Sequence, residues 1–197
     1  MPFLVPDVTD ENDALATFAG QQLRQMATTM QGLNAEQLQS TPTASALSLH
    51  VLALHSVSVV YNVAVWINPD HPVCAADRLP ETVDLAEGVD CRRYKDLEKL
   101  TAENLISSLE RAAEDAEQVL RDAVLSALVV HKPKGPWLKG DERWNNRWCA
   151  LHLTQEIARH VGHADVIRET IDGGFAYQLN AQFDGTKWPP AHLLIVN

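Results

Sequence analysis

The sequence predicts an all-α protein, a four-helix bundle with a long crossover after its second helix. Three observations lead there. Two long stretches carry apolar residues at steps of three and four, the mark of amphipathic helices. A further stretch is apolar nearly all round over roughly 22 residues, far longer than a typical strand. No run alternates apolar and polar residues as a half-buried strand would. A length of 197 residues favours one domain with its own core. The expected division is a bundle over residues 1–174 and an irregular tail over 175–197 that packs back on it.

The first helix is expected from about Asp10 to Leu33. Thr9 suits the N-cap, acids follow at 10, 11 and 13, and Asn34 suits the close. Its core stripe is Leu15, Phe18, Ala19, Leu23, Met26, Ala27, Met30 and Leu33. The second helix, Ser45 to Ile67, is the all-round apolar one and should be central; Pro69 ends it. Residues 68–100 hold Pro69, Pro72, Pro80 and Gly88 and form the long connection, which would let the second and third helices run parallel. The third helix starts at Thr101, and its stripe continues to Leu128. Pro133, Gly135 and Pro136 break the chain before a fourth helix from about Trp144 to Ile171, stopped by Gly173 and Gly174.

Composition narrows the partners. Lys and Arg number 16 against 26 Asp and Glu, a formal charge of −10. A nucleic-acid partner or an anionic membrane surface would want the opposite sign. The apolar second helix carries His50, His55, Asn62 and several serines, which a lipid-facing helix would not place in hydrocarbon. Residues Met1 to Asp13 hold four acids and no Lys or Arg, unlike a signal peptide. Cys74, Cys91 and Cys149 are odd in number and scattered, which fits a reducing cytoplasm; Cys74 and Cys91 could pair only if oxidised.

The chemistry-bearing residues gather on the fourth helix. At 100° per residue, His152, Glu156, His160 and His163 share one face. Glu156 and His160 stand one turn apart, close enough to bind one ion. Such pairs are also common as plain helix salt bridges. A metal site in a bundle needs a further ligand from a facing helix. The second helix offers His50 and His55, about 140° apart, so at most one points at the site. His55 shares its direction with Trp66 and is favoured. Trp137, Trp144 and Trp148 read as core or loop anchors, and Cys149 as a small core residue. No Gly-rich phosphate loop, Gly-x-Ser-x-Gly elbow or Cys-x-x-Cys pair is present.

The run from His152 through Glu156, His160, His163, Asp165, Arg168, Glu169 and Asp172 to Gly173 resembles the last helix of a branch of the DinB/YfiT-like superfamily. That branch includes mycothiol-dependent S-transferases and is related to the N-terminal domain of mycothiol-dependent maleylpyruvate isomerase. The segment Thr43 to His55 resembles the family's second helix, and aligning Ser48-Leu49 on its Ser-Leu run puts the ligand at His55. The chain departs from the family at Ser56 to Asn62, where acidic and basic residues are common. The isomerase's further C-terminal domain has no counterpart, so maleylpyruvate isomerisation itself is not expected.

The resemblance implies a three-ligand centre of His55, Glu156 and His160. Two histidines and a glutamate with an open position are a catalytic zinc set, which nickel or iron can also occupy. The implied function is a metal-dependent S-transferase that activates a low-molecular-weight thiol, of mycothiol or bacillithiol type, toward an electrophile. The alternative is a non-enzymatic metal-binding or stress-related helical module; a non-haem iron oxygenase on the same ligands ranks third. His152 and His163 suit either ligand orientation or proton transfer, or are merely polar residues on a helix face. A homodimer through helix faces is the expected assembly.

Overall fold

The computed structural model describes residues 3–75, 101–129 and 138–189. Most of the long connection with Cys91, the Pro133–Pro136 break with Trp137, and the apolar end Leu193–Val196 lie outside the described residues. Among those described, the only regular elements are helices: α1 Glu11–Thr28, α2 Ala35–Gln39, α3 Leu49–Ile67, a 3₁₀ turn Pro72–Cys74, α4 Ala102–Asp122, α5 Asn146–Asp172 and α6 Ala176–Phe183. The all-α class is as expected.

Four long helices make the core. α1 and α3 each pack against both α4 and α5 and scarcely touch one another. The closest association is α1 with α4, and residue size explains it. α1 turns Ala16, Ala19, Gly20 and Ala27 inward, and α4 answers with Ala112, Ala113 and Ala116, all buried. Small side chains let two helix axes approach closely. Leu23, Met26, Leu109, Leu153 and Ile157 fill the remaining space and are 0–1% exposed. Each such side chain contributes about 1.5–3 kcal/mol by leaving water. α3 is long and apolar enough to cross a membrane by composition alone, but over half of that stretch is buried within the protein.

Several helix ends differ from the sequence expectation, some because tertiary groups decide them and others through local caps. Asp10, not Thr9, caps α1: its carboxylate accepts from Asp13 N–H at 2.9 Å, while Thr9 N–H donates back to Asp13. α1 ends at Thr28 rather than Leu33. Arg168 of α5 is buried there and donates to the carbonyls of Thr29 (2.9 Å) and Gln31 (2.7 Å). Asn34 does not close α1 but opens α2, in a reciprocal capping box with Gln37. Phe18, read as core, is 45% exposed.

α3 begins at Leu49, not Ser45. Ser48 stands at the cap position, and its hydroxyl lies 3.0 Å from His50 Nδ1. α4 stops at Asp122, although apolar residues continue to Leu128. Asn12 of α1 donates to the carbonyls of Leu120 and Ala123 at 2.8 and 2.9 Å and closes the helix. Val124 and Leu128 are then exposed, and residues 127–129 bond with 144–146. α5 starts on an Asn145 cap and ends at Gly173, whose φ of +78° is the left-handed conformation glycine adopts readily. Part of the segment read as irregular is helical: α6 buries Leu179, and Asn180 exchanges two 2.8 Å bonds with Gln25 of α1.

Candidate metal centre

α3 and α5 pack side by side, and their contact brings one histidine of α3 to the polar stripe of α5. His160 Nε2 lies 3.2 Å and His55 Nε2 3.5 Å from the same oxygen, Glu156 Oε1. The two imidazoles meet edge to face with ring centroids 4.6 Å apart. One ligand atom from each of the three residues lies within 4.8 Å of the others. The Glu156–His160 half is a helix-turn consequence, one turn of α5. The His55 half depends on the α3–α5 contact.

These residues fit a metal ion by donor chemistry and by distance. Two ligands bound about 2.1 Å from a tetrahedral zinc stand about 3.4 Å apart, close to the two separations measured here. Protonation agrees as well. Burial lowers the pKa of His160, assisted by the charge of His55 and outweighing Glu156, so the ring is neutral at pH 7. Burial opposes ionisation of Glu156, but hydrogen bonds and charge from His160 and His55 together hold its carboxyl below the usual range. Neutral imidazole and ionised carboxylate are the forms that bind metal. His160 Nδ1 is buried without a hydrogen-bond partner among the described residues, so none of them orients that ring from behind. The side chains of His55 and Glu156 are 34% and 31% exposed, which leaves an open side to the group.

His50 is elsewhere. Its Nδ1 donates to the Leu38 carbonyl at 3.2 Å and ties α2 to the start of α3. Burial lowers its pKa, so it serves as a neutral structural residue. His163 is exposed, its ring 6.0 Å from that of His160. His152 stacks on Trp148 at 4.9 Å, and Trp148 on Trp144 at 4.1 Å with planes 7° apart; Trp66 follows at 6.1 Å. Trp144 and Trp148, read as separate anchors, thus form a ladder ending in His152. The spacing of Trp148 and His152, one turn apart on α5, signals half of it in the sequence, while Trp144 lies just before the helix. Trp66, three turns along α3 from His55, joins that ladder. Cys149 is fully buried, and burial pushes its thiol up to about 11.

Residues 14–173 match the family model described as Mycothiol-S-transferase. The chain belongs to the mycothiol-S-transferase family. The match spans α1 to the Gly173 stop and therefore all three clustered side chains. The family lies within the DinB/YfiT-like superfamily. Membership points to mycothiol S-transferase activity, with a thiol cosubstrate and an electrophile as the reacting pair. Searches of curated proteins and of solved structures found no match.

Proposed function

We propose that this mycothiol-S-transferase family member is a metal-dependent enzyme in which His55, Glu156 and His160 hold one divalent cation, zinc in the first instance. The same donors suit nickel or iron(II). The observation that carries the reading is the convergence of two imidazole Nε2 atoms on a single Glu156 oxygen. When bound, the cation acts as a Lewis acid that lowers the pKa of a small thiol and keeps it as thiolate.

The chain's own part is to supply two imidazole nitrogen donors and one carboxylate oxygen, and to leave one side open to solvent. Neither described cysteine competes as nucleophile. Burial suppresses ionisation of Cys149, and burial with the charge of Asp115 does the same to Cys74. The attacking sulfur is that of the cosubstrate, of mycothiol or bacillithiol type. It bonds to the electrophilic carbon as the leaving group departs with the bond's electron pair. Free cysteines and a small-thiol cosubstrate fit a reducing cytoplasm.

The test is thiol consumption by chelator-stripped protein with a chromogenic electrophile, with and without zinc, nickel or iron. Turnover should return with metal in the parent chain and be lost in His160→Ala. No metal-dependent consumption of any thiol tried would sink the reading.

A further inference from the structure

A cavity of about 300 Å³ lies between the N-terminal arm, α1, α5 and the start of α6. It is well apart from the metal donors. Asp165 on its wall follows Glu156 by nine residues, about 180° around α5. Phe3 and Phe18 supply aromatic surface, Val161 an apolar floor, and Gln21 and Gln22 amides at the rim. The arm is fastened in place. Phe3 stacks on Tyr177 of α6 at 4.5 Å, and the Gln21 side-chain amide donates to the Phe3 carbonyl. The volume suits a small ligand.

Asp165 is the single charged group lining this cavity, and no lysine, arginine or histidine among the described residues lines it. Its carboxyl has no hydrogen bond or ion pair among them. Burial, with the charge of nearby Glu169, pushes it up to about 6, so at neutral pH it is an ionised group without compensation. A cation with an apolar body relieves that state in two ways. Its charge pairs with the carboxylate, and it gains from the faces of the aromatic rings. Neither an anion nor a neutral polar molecule gains the first.

We propose that this cavity is a second ligand site, which binds an organic ammonium ion with its charged head at Asp165 and its apolar body on Phe3 and Phe18. The proposal does not depend on the metal reading.

Calorimetric titration of the full chain with phenethylammonium, against neutral phenethyl alcohol of the same shape, tests it at neutral pH. The expected result is one-to-one binding of the ammonium at least about tenfold tighter than the alcohol, with the difference abolished in Asp165→Asn. Phe18→Leu should weaken the ammonium by about threefold and keep the order. Backbone amide shifts on titration should centre on Val161, Asp165 and Ala176. Equal affinity for the two probes, no saturation below about 10 mM, undiminished binding by Asp165→Asn, or shifts centred on His55 and His160 would each overturn it.

Discussion

His55 of α3 and His160 of α5, 105 positions apart in the chain, meet with ring centroids 4.6 Å apart over one oxygen of Glu156. The pair links α3 to α5 and places a polar, partly exposed group at their contact. Nothing in the packing of α3 requires a histidine there, since the neighbouring Leu52, Leu54 and Val57 are buried.

Substitution separates the two histidines of α3. His55→Ala should abolish stoichiometric metal binding, because a two-residue site remains. His50→Ala should keep the metal and lower stability by about 1 kcal/mol, the worth of one lost hydrogen bond to the Leu38 carbonyl. Elemental analysis and thermal melting of both variants check this. Metal loss in His50→Ala with retention in His55→Ala would reverse the assignment.

Glu156→Gln should keep the fold and weaken the metal by about 10- to 100-fold or more, since a neutral amide replaces the single anionic donor. Competition with a chromogenic chelator reads the affinity, and circular dichroism reads the helix content. Unchanged affinity would remove Glu156 from the site.

Arg168 bonds the carbonyls that end α1 and pairs with Asp172 at 2.9 Å, while itself only 6% exposed. Arg168→Met should therefore cost about 3 kcal/mol, because the buried carbonyls and the Asp172 carboxylate lose their donor together. Urea unfolding measures it; a cost under about 1 kcal/mol would show that solvent takes the arginine's place.

Asp165 gives a pH prediction. Its folded pKa, about 6, is above that of the unfolded chain, so the charged form opposes folding. The penalty is absent below about pH 3, where both states are protonated, grows as pH rises from about 4 to 6, and is complete above that. Asp165→Asn should thus stabilise the protein by about 1 kcal/mol at pH 7, a value discounted for the partial exposure of the group, and by nothing near pH 3. Denaturant midpoints at the two pH values test the sign. Equal gains at both would remove charge as the cause.

Much of this molecule is legible before any coordinates exist. The 3.6-residue period of α1, α4 and α5, the unbroken apolar surface of α3 and the glycine at 173 are local properties, and they determine an all-helical chain with its principal elements. The stripe His152, Glu156, His160 follows from helix geometry alone, because side chains one turn apart must share a face. Spacing and family resemblance together also selected His55 over His50.

Tertiary structure decided what depends on groups far apart in sequence. α1 ends where Arg168 takes its carbonyls, and α4 ends where Asn12 does, although both apolar patterns run on. Asn34, by contrast, opens α2 through a local capping box with Gln37 that the sequence also carries. The meeting of His55 with Glu156 requires α3 to lie against α5 at one register, which no local period encodes. The half-buried carboxyl of Asp165 lies beyond sequence for the same reason: its environment is made by α1, α6 and the N-terminal arm packed against α5. Local periodicity sets which face a helix buries, but the partner of that face, and the charge left unpaired beneath it, are set by packing.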